Sequence, residues 1–278
     1  MEIFSIETGK FKLDGGAMFG VVPRSMWSKL AVPDSKGLCT WAMRCMLIQD
    51  GKKLILIDCG LGDKQDDKFF SHYEPHGDET LLKSLHAQGF SPDDITDVVL
   101  THLHFDHCGG AIKRQGEKLV PTFKNAHYWS NQRHWEWATH PNAREKASFL
   151  KENILPIQES GQLKFTEDGN REIHPDLLIR TVNGHTESMI IPHLSYKGKT
   201  IVYCADLLAS RWHLPIPYVM AYDTRPLLTL EEKQRFLPEA AAGDYYLFFE
   251  HDPEVEMISL QQTEKGVREK DAFALSDL

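Results

Sequence analysis

The amino-acid sequence predicts a mixed α/β protein of the α+β class with a β-rich core. The segments Lys53–Asp58 and Lys199–Asp206 both begin at a Gly-Lys turn and end in an aspartate, which suggests an internally duplicated core. Strand patterns alternate along the chain with helical patterns. No linker, low-complexity block or shift of composition divides residues 1–278, so a single domain is predicted.

Composition and charge argue against several classes of function. The formal net charge is −9, and hydrophobic and charged residues make up 41% and 26% of the chain, as in ordinary soluble proteins. Because nucleic-acid-binding proteins usually present a basic surface, the acidic balance argues against a nucleic-acid partner. No run of about eighteen apolar residues occurs, so no membrane span is predicted.

The N-terminus and the cysteines favour a cytoplasmic location. Residues Met1–Ser5 contain no basic segment and no long apolar one, so they do not predict a signal peptide. The five cysteines are odd in number and form no C-x-x-C pair, which is typical of reduced thiols and not of a disulfide framework.

Strands are predicted where β-branched and other apolar residues form short runs bounded by turn residues. Residues 41–49 and 53–58 are expected to pair across Asp50-Gly51, because Asp-Gly is favoured in hairpin turns. The other predicted strands are 1–10, 97–100, 119–129 (a strand pair), 176–182, 188–194, 199–206, 245–249 and a pair from residue 257 onward.

Helices are predicted where apolar residues recur at helical spacing between recognisable end signals. Residues 79–88 carry leucines on one face and end at Gly89. A second helix is expected to begin at the capping residue Thr229 and to end at Gly243. Ser91, which precedes a proline, begins a short additional turn.

The remaining segments are predicted to be helical cover, loops or frayed ends. Residues 130–160 are helical in pattern with a break at His140-Pro141-Asn142. They could face a partner subunit in a homodimer, or they could form an ordinary pair of helices that covers the core. Residues 61–78 and 207–228 are predicted loops, and residues 272–278 are expected to fray.

The segment Leu13–Pro23 is too rich in glycine for a helix and too apolar for a solvated loop. One interpretation is a buried turn between strands. The other is a loop that lays Met18, Phe19 and Trp27 beside a substrate pocket, because ligand pockets are mostly apolar with few polar groups.

The segment Thr101–Gly110 reads T-H-L-H-F-D-H-C-G-G and directly follows a predicted buried strand. His102 and His104 are two residues apart, so on extended chain they point to the same side. Asp106 and His107 then turn back toward the same point. Imidazole nitrogens and carboxylate oxygens suit zinc or iron. Four such groups exceed what one ion takes from one segment, which predicts two ions side by side.

Three further candidate ligands, His185, Asp206 and His251, follow predicted strands. A single histidine or aspartate at a strand end is usually a turn residue. Together with the first segment, in this order, they predict a dinuclear site, which needs a bridging carboxylate and more imidazoles than the first segment supplies. Asp58, at the end of an earlier strand, is either a hydrogen-bond partner of a metal-bound histidine or a turn residue.

The pattern H-x-H-x-D-H, followed in order by His, Asp and His, resembles the signature of the metallo-β-lactamase superfamily. The resemblance implies a four-layer αββα sandwich and two zinc ions, with manganese or iron as alternatives. The implied ligands are His102, His104 and His185 for one ion, Asp106, His107 and His251 for the other, and Asp206 as the bridge.

The resemblance extends to one subgroup through Asp14–Pro23, the motif itself and Val219–Asp223. That subgroup contains quorum-quenching N-acyl homoserine lactonases and is close to methyl parathion hydrolase-type enzymes. The implied function is the opening of a lactone, a small-molecule ester, by attack of a hydroxide that bridges the two metal ions. A phosphotriester or aryl-ester hydrolase is the alternative, and a di-iron oxidoreductase is less favoured because no flavin-binding segment follows.

The same resemblance implies roles around the metal ions. Asp106 is expected to pass a proton to the leaving alkoxide. Some lactonases carry a tyrosine three residues after the bridging aspartate, where Ala209 lies here, so His213 and Tyr222 are candidates to assist the substrate carbonyl, with packing as the alternative. The candidate contacts for an acyl chain are Met18, Phe19, Trp27 and Trp212.

Overall fold

A computed structural model describes residues 1–278. The strands are β1 (Glu2–Asp14), β2 (Leu38–Asp50), β3 (Lys53–Ile57), β4 (Asp97–Val99), β5 (Ile112–Gln115), β6 (Lys118–Pro121), β7 (His127–Ser130), β8 (Leu163–Phe165), β9 (Leu177–Val182), β10 (Met189–Tyr196), β11 (Lys199–Tyr203), β12 (Tyr246–Phe248), β13 (Met257–Thr263) and β14 (Gly266–Phe273). The helices are α1 (Gly15–Phe19), α2 (Arg24–Trp27), α3 (Asp67–Tyr73), α4 (Leu81–Ala87), α5 (Phe105–Cys108), α6 (Gln132–Thr139), α7 (Lys151–Glu159) and α8 (Pro226–Ala242).

The strands form two six-stranded sheets, ordered β1-β2-β3-β4-β7-β8 and β14-β13-β12-β11-β10-β9, with β5 and β6 as a separate hairpin. In the first sheet β1 pairs antiparallel with β2, β2 pairs antiparallel with β3, and β3 pairs parallel with β4. In the second sheet β9, β10, β11 and β12 repeat this sequence of pairings. The repeated topology supports the predicted internal duplication.

Alternating residues of β2 connect the layers. Met46 and Ile48 belong to the core cluster between the two sheets, which also includes Phe236 of α8. Leu47 points to the opposite face, where it shares a second cluster with Leu85 of α4. Each buried side chain of this size contributes about 1.5–3 kcal/mol. The two outer helix layers confirm the four-layer αββα sandwich.

The glycine-rich segment contains a short helix, α1, which the sequence did not predict. Asp14 caps it by accepting a hydrogen bond from the Ala17 backbone N–H at 2.7 Å. Gly15 is required there because a Cβ would lie 2.5 Å from the Trp27 ring. The glycines therefore allow close packing of a buried helix, and composition alone does not distinguish this from a turn.

Two other helices depart from the predictions. The predicted loop 61–78 contains α3, because the Asp66 side chain accepts a hydrogen bond from the Phe69 N–H at 2.7 Å and so starts a helix. Helix α8 begins at Pro226 and not at Thr229, since proline fits the first helical position, where no N–H is needed.

The C-terminal tail is ordered, so the prediction that residues 272–278 fray is wrong. Leu275 is buried in the core, and its backbone N–H donates to Glu256 Oε2 at 2.7 Å. The predicted strand pair over 119–129 is instead β6 followed by β7, which belongs to another sheet. Helices α6 and α7 confirm the helical pattern, and a homodimer stays a prediction. None of the helices combines the length and the apolar composition that a membrane span requires.

Candidate metal centre

The loop that carries the H-x-H-x-D-H motif leaves the end of β4 and is fixed by Asp58. Asp58 Oδ1 accepts the Thr101 backbone N–H at 2.8 Å, and Oδ2 accepts the Thr101 hydroxyl at 2.6 Å. Asp58 Oδ2 also lies 3.1 Å from His107 Nδ1. The structure thus confirms Asp58 as a hydrogen-bond partner of a candidate metal ligand.

Strand ends of both sheets bring the other candidate ligands to this loop. His185 follows β9, Asp206 lies in a 3₁₀ turn after β11, and His251 follows β12. All seven residues predicted as ligands are buried, none more than 7% exposed, and they form two groups with their donor atoms within 4.8 Å of one another. The groups are His102, His104, His185 and Asp206, and Asp106, His107 and His251.

In the first group the ring nitrogens converge on one point. His104 Nδ1 lies 3.0 Å from His102 Nε2 and 3.1 Å from His185 Nε2. His185 Nε2 is 3.1 Å from Asp206 Oδ2. Metal–nitrogen bonds of about 2.0–2.1 Å in a tetrahedron place neighbouring ligand atoms about 3.3 Å apart. These spacings fit ligands of a single divalent ion.

The second group has the same character, and Asp206 lies between the two. His107 Nε2 and His251 Nε2 are 3.1 Å apart, and Asp106 Oδ2 is 3.7 Å from His251 Nε2. Asp206 Oδ1 lies 3.3 Å from His251 Nε2, whereas its Oδ2 faces His185. One carboxylate oxygen therefore faces each group, which is the arrangement of a bridging ligand.

The donor set fits two divalent cations. Asp206 Oδ1 is buried and has no hydrogen-bond partner, which is costly for a carboxylate oxygen unless a cation binds it. The facing ring nitrogens of His107 and His251 also cannot satisfy each other when both are unprotonated. A positive ion between them satisfies both.

Two of the candidate ligand histidines, His185 and His251, have their outer nitrogen held by an acceptor. His185 Nδ1 donates to Asp223 Oδ1 at 2.8 Å, and His251 Nδ1 donates to the Ala42 carbonyl at 2.8 Å. Such contacts fix the ring tautomer so that Nε2 is free for the metal. The orientation of these two rings is therefore fixed by the protein itself.

Three buried acids around the centre were not predicted from the sequence as site residues. Asp223 contacts His185, Glu250 Oε2 lies 2.9 Å from His107 Nδ1, and Glu145 Oε1 lies 3.6 Å from His104 Nε2. Glu250 directly precedes a predicted ligand, which is a weak signal. Glu145 has no local signal, because its segment is packed against the site only in the folded chain.

The electrostatics of the centre differ between its members. Burial, with the neighbouring histidines adding, lowers the pKa of His102, so this imidazole is neutral and ready to bind a metal. Burial opposes ionisation of Asp206, but His185, His107 and His251 hold its pKa well below the usual range. Burial also opposes a charge on His251, yet Asp206 raises its pKa to about 9. Metal binding must therefore displace a proton there.

A cavity of about 290 Å³ opens above both ligand groups. Asp106 and Asp206 form part of its wall. Arg144 and Ser148 add further polar groups. Most of the other lining residues are apolar or aromatic, namely Leu13, Ala17, Met18, Tyr73, Phe105, Met220, Ala221 and Tyr222. A small number of polar groups in an apolar wall is typical of a small-molecule site.

Six residues that are not candidate metal ligands were predicted to bind substrate or to take part in catalysis. Two of them, Met18 and Tyr222, line this cavity. Phe19 and Trp27 belong to the aromatic cluster behind the wall, where their rings stack at 5.7 Å, and Trp212 packs on the same cluster. Apolar composition alone does not distinguish such core residues from wall residues.

His213 is not part of the cavity wall either. It is 2% exposed, its Nε2 lies 2.9 Å from the Met18 carbonyl oxygen and its Nδ1 lies 2.9 Å from Ser210 Oγ. Both ring nitrogens therefore have partners within the protein. Tyr73 of α3 reaches the cavity although its segment was predicted to be a loop.

Comparisons with known proteins agree with this geometry. The family model described as the metallo-beta-lactamase superfamily matches residues 44–251. An N-acyl homoserine lactonase from Bacillus thuringiensis is 24% identical over 225 residues, which are 76% of this chain and 82% of that protein. A transcription termination factor, FttA, from Methanocaldococcus jannaschii is 35% identical over 65 residues, but these are only 8% of its length.

Solved structures similar over nearly the whole chain include two hydrolases. A probable metal-dependent hydrolase from Staphylococcus aureus has a TM-score of 0.88 and 26% identity, and the match covers 98% of each chain. AidC, described as a dizinc quorum-quenching lactonase in complex with a product, N-hexanoyl-L-homoserine, has a TM-score of 0.77 and 23% identity. That match covers 98% of this chain and 95% of AidC.

Proposed function

The chain belongs to the metallo-beta-lactamase superfamily and is a metal-dependent hydrolase, and we propose that it opens lactone esters, with N-acyl homoserine lactones as the substrate class. The observation that carries this proposal is the double ligand group bridged by Asp206 at the floor of a mostly apolar cavity. The similarity to a lactonase over 76% of the chain supports the choice of substrate.

Two zinc ions are proposed as the cofactor. His102, His104 and His185 would hold one ion and Asp106, His107 and His251 the other, with Asp206 shared. Bound there, such ions lower the pKa of water and polarise a carbonyl group. The residues of the chain then have to bind the substrate, orient it and move the proton.

Three side chains of the cavity wall suit these tasks. Asp106 can hold a proton at its carboxylate and pass it to the leaving alkoxide. Arg144 donates to the carbonyl oxygens of Ala221 and, at 3.3 Å, of Asp223. It forms no salt bridge with a protein carboxylate, so its charge is free to bind a carbonyl or carboxylate oxygen of a ligand. Tyr222 can donate its hydroxyl to the substrate carbonyl.

The apolar part of the wall would hold the acyl chain. Met18 and Met220 are flexible side chains that adapt to ligands of different length. Phe105 provides a flat aromatic surface on the same wall. A lactone ring at the metal centre can thus extend its acyl arm against apolar residues instead of water, which favours binding.

The test is lactone opening by the metal-loaded protein, followed as acid release with N-hexanoyl homoserine lactone. We expect turnover that is lost after chelation and restored by zinc. Elemental analysis should give about two ions per chain, and Asp206→Ala should lose metal and most activity. The exposed substitution Asp244→Ala is the matched control. Full activity with a single ion, or no lactone turnover with two, would contradict the proposal.

A further inference from the structure

A second cavity, of about 580 Å³, lies away from the substrate cavity and shares none of its lining residues. Three cations line it, Lys64, Lys113 and Arg114, against one carboxylate, Asp63. None of the three cations takes part in a salt bridge. In a chain with a net charge of −9, this concentration of unpaired positive charge is unexpected.

Lys64 is the buried member of this group. It is 7% exposed, and its ammonium donates to the Gly109 carbonyl oxygen. An ammonium has three N–H donors, so two have no partner within the protein. Burial lowers the pKa of Lys64 to about 8, although the nearby carboxylates of Asp63 and Glu152 favour its charged form. An anion in the cavity would stabilise that charged form further.

Lys113 and Arg114 are successive residues of β5, and both are exposed at the rim of the cavity. Thr122 supplies the second independent feature of the wall. It is 4% exposed, and its hydroxyl is buried without a hydrogen-bond partner. Buried polar groups are normally paired, so an unpaired donor in the wall of a cavity points to a missing ligand.

Apolar side chains complete the wall, namely Leu81, Leu82 and Ile112. Leu82 is 37% exposed, so a bare inorganic anion would leave it in contact with water, whereas an organic group would cover it. Phosphate oxygens suit both a point-charge lysine and an arginine fork. We infer that this cavity binds a small organophosphate, with its phosphate at Lys64, Thr122 and Arg114 and its organic part on the apolar residues.

The cavity touches the loops of the metal centre from behind. Cys59 and Gly110 are part of its wall. The Cys59 backbone N–H donates to the carbonyl oxygen of His107, a candidate metal ligand, at 2.7 Å. A ligand in the cavity would therefore contact the backbone that positions the candidate metal ligands. The inference itself does not depend on which ester the enzyme cleaves.

Calorimetric titration of the metal-loaded protein with phenylphosphonate and with inorganic phosphate tests the inference. Phenylphosphonate cannot be hydrolysed as an ester, and its ring probes the apolar wall. We expect both to bind, with phenylphosphonate tighter. The double variant Lys113→Ala/Arg114→Ala should weaken binding by about tenfold or more, and Lys64→Met should abolish it. Lys118→Ala, in the same hairpin but outside the cavity, is the matched control.

A second arm separates this cavity from the metal ions, which also attract phosphate. Asp206→Asn should leave the binding of phenylphosphonate intact if the ligand occupies the cavity. Because Lys64→Met could unfold the chain, the exposed double variant carries the test, with circular dichroism as the check on folding. Absence of binding at about 10 mM ligand, equal binding by the double variant, or loss of binding in Asp206→Asn would each overturn the inference.

Discussion

Glu250 Oε2 lies 2.9 Å from Nδ1 of His107, while Nε2 of the same ring faces His251 at 3.1 Å. Glu250 is fully buried, and the Tyr203 hydroxyl contacts its Oε2 at 2.7 Å. Burial raises the pKa of Glu250 to about 8, and the charge of Asp58 adds to this. The outer nitrogen of His107 thus lies between two buried acids, Glu250 and Asp58.

This contact predicts that Glu250→Gln weakens metal binding. The change keeps the shape of the side chain but removes the acid beside His107, so the ring is oriented less firmly and becomes a weaker ligand. We expect the affinity for zinc to fall about ten- to a hundredfold, with activity restored by excess zinc. Competition with a chromogenic chelator measures this. Glu254→Gln, on the same loop and exposed, is the control, and equal affinity in both variants would contradict the prediction.

Tyr222→Phe is predicted to reduce kcat with little change in KM. If the hydroxyl donates to the oxygen that gains charge in the transition state, its loss should cost about tenfold or more. Tyr73→Phe is a matched control, because Tyr73 also lines the cavity and its ring packs against Phe105 at 4.5 Å. Steady-state kinetics of the two variants measure the difference. An equal fall in kcat in both variants would contradict a specific role of the Tyr222 hydroxyl.

His193 predicts a loss of stability in acid. It lies in β10 with Nδ1 2.8 Å from the Ile191 carbonyl oxygen, and burial lowers its pKa to about 4 from an ordinary 6.5. Between these values the unfolded chain binds a proton that the folded chain does not, so the free energy of unfolding falls as the pH falls from 6.5 to 4. The slope from this residue is at most about 1.4 kcal/mol per pH unit.

Urea unfolding across this pH range measures the effect. In His193→Gln the free energy of unfolding should decline less steeply with falling pH than in the natural protein. The slope should be smaller by up to about 1.4 kcal/mol per pH unit. The exposed substitution His140→Gln should leave the slope unchanged. Parallel curves for the natural protein and His193→Gln would contradict the prediction.

The candidate metal ligands could be recognised in the sequence because they depend on local features. His102, His104, Asp106 and His107 form one short motif, and the later ligands follow strands that hydrophobic pattern identifies. Glu145 could not be predicted, since its contact with Thr186 joins residues 41 positions apart through the folded chain. That residues 1–278 form a single domain stays a prediction.

Apolar residues that line the cavity could not be distinguished in the sequence from apolar residues of the core behind it. Met18 and Phe19 are adjacent and both apolar, yet only Met18 lines the cavity, because successive residues of the short helix α1 point in different directions. Trp27 is buried because Gly15 makes room for its ring. Apolar content therefore marks a segment near the site but does not separate its faces.

The cavity wall predicts how activity should depend on the acyl chain. Each buried methylene contributes about 0.8 kcal/mol, so two added carbons should raise kcat/KM by up to about tenfold until the cavity is full. The cavity volume of about 290 Å³ limits the length of acyl chain that can be buried. Met18→Ala should flatten the trend, whereas Met26→Ala, 50% exposed and outside the cavity, should not.

A series of N-acyl homoserine lactones, run beside paraoxon-like phosphotriesters and aryl esters, measures this trend and tests the alternative function. Lactone opening with a clear dependence on chain length supports the proposed activity. Negligible lactone turnover with fast phosphotriester or aryl-ester cleavage would assign the chain to that class of hydrolase. The proposed metal centre would serve that hydrolysis equally well, and only the role of the apolar wall would change.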